Sequence, residues 1–352
     1  MARINAISTA LPSRDVEHYY RSWARERLAD SRLSRLYDRM ASRSGIEHRW
    51  SVLPESEANL TGHDARNVVA GAFSTANRME RYAREAPKLA LSAIRGLPCL
   101  DGVSHLVVAS CTGFCAPGID QIVARELGLS AEVERVFIGF MGCYAGITAL
   151  RTARHIVRST PEARVLVVAV ELCTLHVQPD HELEPLLAMG QFGDGAAAAL
   201  ITAGGDGLSL DSTLSATLED SAGLITWTIT DTGFVMHLSG EVPGRIATAL
   251  SRSEIASRIT EGQEVTEFDA WAVHPGGRSI LDAVDQGLAL PRGSLAASRS
   301  VLRDCGNVSS ATVLFVLERL MPQRPKKGVA LAFGPGLAME GLRFSWAEGD
   351  AC

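Results

Sequence analysis

An α/β fold made of two similar halves is the architecture that this 352-residue sequence predicts. Three observations carry the prediction. Short apolar segments at 106–109, 136–140 and 165–170 alternate with amphipathic stretches, the pattern of strands joined by helices. The theme repeats after residue 204, with strands near 208–216, 268–273, 328–333 and 341–346 and helices near 243–259, 277–288 and 308–320. Between the two runs lies Gly204-Gly205-Asp206-Gly207, whose turn chemistry marks a join, so the halves are read as 1–203 and 204–352.

The elements follow in order. Residues 14–44 carry Arg, Asp and Glu among Leu and Tyr at helical spacing and end in the basic run Arg32, Arg35, Arg39 and Arg43. Residues 64–95 are helical in pattern again. The helix expected at 118–128 links the first two strands. The one at 145–158 sets Ile147, Leu150, Ile156 and Val157 against Arg151, Arg154 and Arg158, the pattern of a covering helix. Wholly apolar strands predict burial on both faces.

Composition narrows the function. With 46% hydrophobic and 21% charged residues the chain reads as an ordinary soluble protein. Seven cysteines, at 99, 111, 115, 143, 173, 305 and 352, are an odd number without framework spacing. Met1-Ala2-Arg3-Ile4-Asn5 lacks the apolar run of a signal peptide, so a reducing cytoplasm is expected. No apolar stretch is long enough to predict a membrane span, and a net charge of -6 argues against general nucleic-acid binding.

Cys143 stands where the strand at 136–140 runs into a helix, among Gly142, Ala145 and Gly146. A thiol in the first turn of a helix is favoured as thiolate by unpaired N–H groups and the helix dipole, and small neighbours leave room for an acyl group. His274 closes the strand at 268–273 before Pro275-Gly276-Gly277, and Asn307 lies in a turn that feeds a helix. All three sit at the ends of elements, where open α/β folds place their sites. An imidazole can hold a thiol ionised, and a His with an Asn amide can donate to an oxygen that gains negative charge. Other motifs fail. Cys111-x3-Cys115 has no second metal-ligating pair, Gly193-Asp194-Gly195 lacks a third glycine, and no phosphate-binding loop or papain-type Cys context occurs.

Gly142-Cys143-Tyr144-Ala145-Gly146, His274-Pro275-Gly276-Gly277, Gly306-Asn307-Val308-Ser309-Ser310 and Phe333-Gly334-Pro335-Gly336, in that order, resemble the type III polyketide synthases, the chalcone-synthase-like enzymes. The likeness runs from about residue 3 to Trp346, and the segment at 170–176 resembles the bacterial branch. The resemblance implies a thiolase-like αβαβα sandwich, a homodimer, and malonyl-CoA and acyl-CoA as substrates without a metal or redox cofactor. It gives Cys143 the acyl-carrying role, with His274 and Asn307 assisting decarboxylation and His274 pairing with the thiol. It puts Phe192, Met236, Trp227, Cys173, His176, Cys111, Thr112, Ala116, Gly334, Pro335 and Gly336 around the substrate. Arg35, Arg39, Arg43 and Ser309 would bind CoA. Trp227 and His176 would narrow the pocket, or a fatty tail would leave past Ala116 and Cys173. Two other readings stay open: a ketoacyl-acyl-carrier-protein synthase of the third type, and a catalytically silent partner subunit.

Overall fold

The computed structural model describes residues 1–28, 30–54 and 74–349. The expected helical segment at 64–73 lies outside the described residues. The first half runs β1 (Arg3–Ala10), β2 (Arg14–Asp15), α1 (Glu17–Arg27), α2 (Ser31–Ser42), β3 (Trp50–Ser51), α3 (Thr75–Arg95), β4 (His105–Ser110), α4 (Ile119–Glu126), β5 (Glu134–Gly139), α5 (Ala145–Ser159), β6 (Val165–Leu172), α6 (Leu183–Met189) and β7 (Asp194–Thr202). The second runs β8 (Gly207–Thr217), β9 (Ile225–Thr230), β10 (Gly233–Leu238), α7 (Val242–Leu250), α8 (Ser253–Thr260), β11 (Ala270–Val273), α9 (Arg278–Gly287), α10 (Ala296–Cys305), α11 (Thr312–Leu320), β12 (Gly328–Gly334) and β13 (Ala338–Ala347).

The strand order carries the duplication. The sheet reads β11-β12-β13-β8-β1-β7-β6-β4-β5. From β1 outward, the first half places the antiparallel β7, then the mutually parallel β6 and β4. From β8 outward, the second half repeats this with the antiparallel β13, then the parallel pair β12 and β11. A short antiparallel pairing, Arg3 with Ser209 and Ile4 with Leu208, joins the two along their first strands.

Burial sorts the helices into layers. Strand alternation sends Val107, Ala109, Val165 and Val167 to one face, where they pack with α5, α11 and the facing Ala270, Ala272, Ala330 and Ala332 of the second half. The opposite face, with Leu106, Val108, Leu166 and Val168, is covered by α3 and α4. Trp271, Val273, Val329 and Leu331 are covered by α7, α9 and α10. Helix, sheet, helix pair, sheet, helix is the αβαβα sandwich of the thiolase-like fold.

Four expectations are corrected. β5 was expected to be buried on both faces, yet it is an edge strand in which Val136 and Phe137 are 39% and 38% exposed. An apolar run reports a buried surface without saying that this chain itself supplies the cover. The covering helix at 145–158 is a middle-layer helix, and its polar side is engaged too. Arg151 pairs with Glu340, and Arg154 donates to the carbonyls of Leu210 and Asp211 at 2.7 and 2.6 Å. The stretch 243–259 is two helices, α7 and α8, and 14–44 divides into β2, α1 and α2.

Candidate active site

The turn that presents Cys143 is built from unusual backbone. After β5, Phe140 has φ 57° and Gly142 φ 83°. A Cβ on Gly142 would stand 2.5 Å from Pro335 Cδ, so the position needs glycine twice over. Gly146 allows α5 to approach the next turn, since its Cβ would meet the Ser310 carbonyl oxygen at 2.2 Å. Cys143 itself was expected in the first helical turn. It precedes α5, with Tyr144 as the N-cap residue, so the Gly142 turn sets the direction of its side chain. Gly142→Ala is therefore expected to cost about 1–3 kcal/mol of stability and to slow acylation of Cys143. Thermal unfolding and a loading assay would check it; unaltered values in both would show that the turn tolerates a side chain.

His274 follows β11 and donates its backbone N–H to the Leu331 carbonyl at 2.8 Å. Its ring is 1% exposed, and neither ring nitrogen has a hydrogen-bond partner among the described residues. Burial pushes the imidazole down to about 3, so a lone His274 is neutral. Asn307 is anchored from both sides. Its N–H donates to the Gln191 carbonyl at 2.8 Å, and its own carbonyl accepts from Gly193 at 3.0 Å. Side-chain Oδ1 accepts from the Ser309 N–H at 2.8 Å, and Nδ2 donates to the Gly276 carbonyl at 3.3 Å. The second amide hydrogen is thereby left for the Cys143 thiol and the cavity beside it.

Cys143 Sγ lies 3.7 Å from Ser309 Oγ, and Cys111 Sγ lies 3.1 Å from the same hydroxyl. Burial pushes the Cys143 thiol up to about 11, against hydrogen bonds from Ser309 and Asn307 that pull it down. The expected contact with His274 is absent from the resting geometry. With no partner on either ring nitrogen, the imidazole and the thiol are each held neutral by burial.

Cys143, His274 and Asn307 all line a cavity of about 550 Å³. Phe192, Met236, Trp227 and His176 form part of its wall, and Cys111, Thr112, Cys173, Gly334 and Pro335 also border it. His176 Nε2 donates to the Thr112 carbonyl at 2.6 Å while Nδ1 accepts from the Phe234 N–H at 3.0 Å, which fixes one neutral tautomer. Its ring stacks on Phe234 with centroids 4.2 Å apart, and Trp227 Nε1 donates to the Cys111 carbonyl at 3.0 Å. These aromatics form a rigid wall, because each polar atom is already committed.

Other expected residues fall elsewhere. Ala116 is exposed, outside the cavity wall, because its loop lies on the surface of the single chain. Gly336 has φ 83° in the turn after Gly334 and also lies outside the wall. Ser309, expected with the CoA arginines, is 3% exposed on the cavity floor, since its N–H is tied to Asn307. Arg35, Arg39 and Arg43 are exposed at α2, and Met40 between the last two reaches the wall. Sequence reasoning gave no role to Glu171 or Phe234. Glu171 is fully buried under the floor and accepts from the Cys111 N–H, Thr112 Oγ1 and Ser310 Oγ. The signal was a lone carboxylate at the end of an apolar strand.

A duplicated αβαβα core with a cysteine at the head of a middle-layer helix defines a thiolase-like acyltransferase. Residues 1–205 match the N-terminal domain of the chalcone and stilbene synthases, and residues 209–345 match their C-terminal domain. Bisdemethoxycurcumin synthase of Oryza sativa subsp. japonica is 33% identical over 97% of this chain and 92% of its own length. Alpha-pyrone synthesis polyketide synthase-like Pks18 of Mycobacterium tuberculosis is 34% identical over 76% of this chain and 72% of its own. The crystal structure of PKS-I from the brown alga Ectocarpus siliculosus superposes with a TM-score of 0.86 at 26% identity, covering 98% of both chains. The type III polyketide synthase domain of Steely1 from Dictyostelium shares the fold, with a TM-score of 0.86 at 24% identity over 98% of this chain and 99% of that one. The chain belongs to the chalcone and stilbene synthase family, and it is a type III polyketide synthase. The carrier-protein-dependent ketoacyl synthase is thereby set aside.

Proposed function

We propose that the chain loads an acyl-CoA starter on Cys143 and extends it with malonyl-CoA by decarboxylative Claisen condensation. The released product is a cyclised pyrone, resorcinol or related phenolic. The observation that carries the reading is a thiol, an unpartnered neutral imidazole and a fixed amide meeting in one cavity. The Cys143 thiolate attacks the starter thioester and CoA leaves as thiolate, with His274 as the acceptor of the cysteine proton. Malonyl-CoA loses CO2, and the enolate oxygen takes hydrogen bonds from His274 and the second Asn307 amide hydrogen. The carbanion carbon then attacks the Cys143 thioester, a C–C bond forms, and the Cys143 thiolate departs.

Arg35 and Arg39 on one face of α2, with Arg43 at its C-cap, are assigned to the CoA phosphates; Met40 at the cavity wall supports that orientation. The mycobacterial relative's name supports the pyrone outcome, and the segment at 170–176 supports the bacterial branch. The two halves are taken as 1–203 and 204–352. A homodimer is supported by the unpaired edge of β5 with exposed Val136, Phe137 and neighbouring Phe114, a surface that a second copy would cover. No helix among the described residues is long and apolar enough to cross a membrane, and a cytoplasmic location fits the unpaired cysteines.

Incubation with malonyl-CoA and a panel of acyl-CoA starters, followed by mass spectrometry, tests the reading; a chain that releases no polyketide from any starter would defeat it and would favour the silent subunit. Trp227→Ala should remove about one indole of wall and shift products toward longer chains or bulkier starters. An unchanged product profile would mean that the growing chain does not face Trp227.

A further inference from the structure

Arg49 is a cation in the protein interior, 1% exposed, and its surroundings are specific. Nε pairs with Glu17, itself 7% exposed, and Glu17 also holds Arg21 Nε. The guanidinium lies over the Tyr20 ring, 4.4 Å from its centroid. Its other end reaches the cavity wall from behind, where Nη1 donates to the Phe192 carbonyl at 2.9 Å. Phe192 and Asn307 form an isolated parallel β-bridge, closed by the Asn307 N–H to the Gln191 carbonyl and the Gly193 N–H to the Asn307 carbonyl.

The rest of the segment around Arg49 grips the same loop. Glu47 and His48 donate their N–H groups to the Arg303 carbonyl at 2.8 and 3.0 Å, and Trp50 Nε1 donates to the Asp304 carbonyl at 2.9 Å. Gly306, at φ 67°, has no room for a side chain. A Cβ there would come within 2.8 Å of Arg49 Cγ and 3.1 Å of the Gln191 carbonyl oxygen. Arg49 therefore touches both strands of the bridge, the carbonyl of one and the glycine preceding Asn307 in the other.

We propose that Arg49, held in place by Glu17, is the positioning residue that aims the Asn307 amide and sets the Phe192 wall. A buried ion pair is poor evidence for stability alone, because desolvation offsets its attraction, whereas a planar fork with fixed donors suits a geometric task. Arg49 does not meet substrate. It acts through the bridge, so its loss should affect the condensation step, which needs Asn307, and spare starter loading, which needs Cys143. The proposal rests on the polyketide synthase mechanism proposed above.

The test compares full-length wild type with Arg49→Met, Arg49→Lys and Glu17→Gln. A displacement of about 1 Å in an aiming residue costs about 100-fold, so Arg49→Met should lower kcat for CO2 release from malonyl-CoA by about that factor. KM for malonyl-CoA and the rate of starter adduct formation on Cys143 should stay within about threefold. Arg49→Lys should recover part of the loss, and hydrogen exchange should show weakened protection at the Gly193 and Asn307 amides. If Arg49→Met does not fold, Glu17→Gln carries the test, with the same split between CO2 release and loading. Unchanged CO2 release in the folded variants, or loading that falls as far as CO2 release, overturns the positioning role. A wild-type chain that releases no CO2 overturns the proposed mechanism as well, which distinguishes the two failures.

Discussion

Cys143→Ala is expected to remove starter loading altogether and to lower polyketide formation by at least about 1000-fold, while changing stability by no more than about 1 kcal/mol. Three thiols border the cavity, so the assignment needs an argument. Cys111 and Cys173 are 4% and 8% exposed, and burial raises both well above the ordinary thiol range. Cys111 also spends its sulfur on Ser309 and lies against the Glu171 carboxylate, which opposes ionisation. Cys143 is the most accessible of the three and is raised the least, to about 11. It alone has the turn at Gly142 to present it. Intact-protein mass spectrometry after incubation with acyl-CoA would read the adduct. Wild-type levels of adduct on the Ala variant would transfer the nucleophile to Cys111 or Cys173.

The three residues proposed as catalytic stood out because each punctuates the chain. Gly142, Gly276 and Gly306 break regular structure beside Cys143, His274 and Asn307, and such breaks leave a mark in sequence that core packing does not. The duplication was legible for a similar reason, since buried strands on both sides of residue 204 read as apolar runs. What escaped was set by tertiary contact. β7 contains Ala196–Ala199, four alanines, which carry no strand preference of their own. The strand exists because Leu166, Val167 and Val168 of β6 and Ile7 and Ser8 of β1 pair with it. The hairpin of β9 and β10 was missed because only its aligned positions, Trp227 and Met236, were weighed. Those two turn out to be cross-strand partners.

Charge misled in two opposite ways. The row Arg151, Arg154 and Arg158 looked like a solvent face, yet two of the three find partners inside the sandwich, because long side chains reach carboxylates and carbonyls well away from their own helix. Arg49 and Glu17 were unmarked in sequence because their pairing spans 32 residues and has no periodicity. Ala116 is exposed and does not line the cavity of its own chain; its expected role came from aligned position alone, which names a residue that could enter a cavity without saying which chain's cavity it enters.

His274→Ala and Asn307→Ala should each slow CO2 release from malonyl-CoA by about 100- to 1000-fold, the usual effect of deleting one donor to a developing oxyanion. The two variants should differ at the thiol. With a pKa of about 11 and no proton acceptor, about one Cys143 thiol in ten thousand is ionised at pH 7. The unpartnered imidazole is what can change this. Proton transfer from Sγ to the ring creates two charges that offset each other's burial, whereas either charge alone is disfavoured, as burial pushes the thiol up to about 11 and the imidazole down to about 3. Wild type should therefore be alkylated by iodoacetamide with a plateau well below pH 11. His274→Ala should react at least about tenfold more slowly at pH 7, with a rate that keeps rising as pH approaches 11, because ionisation of a raised thiol is gained only as pH rises through its pKa. Asn307→Ala should disturb alkylation less, since its amide is one of two side-chain hydrogen bonds that pull the thiol down and carries no proton away. Unchanged CO2 release in both variants would refute the shared role at the enolate. Identical alkylation profiles for wild type and His274→Ala would refute the imidazole as the proton acceptor even if decarboxylation were lost.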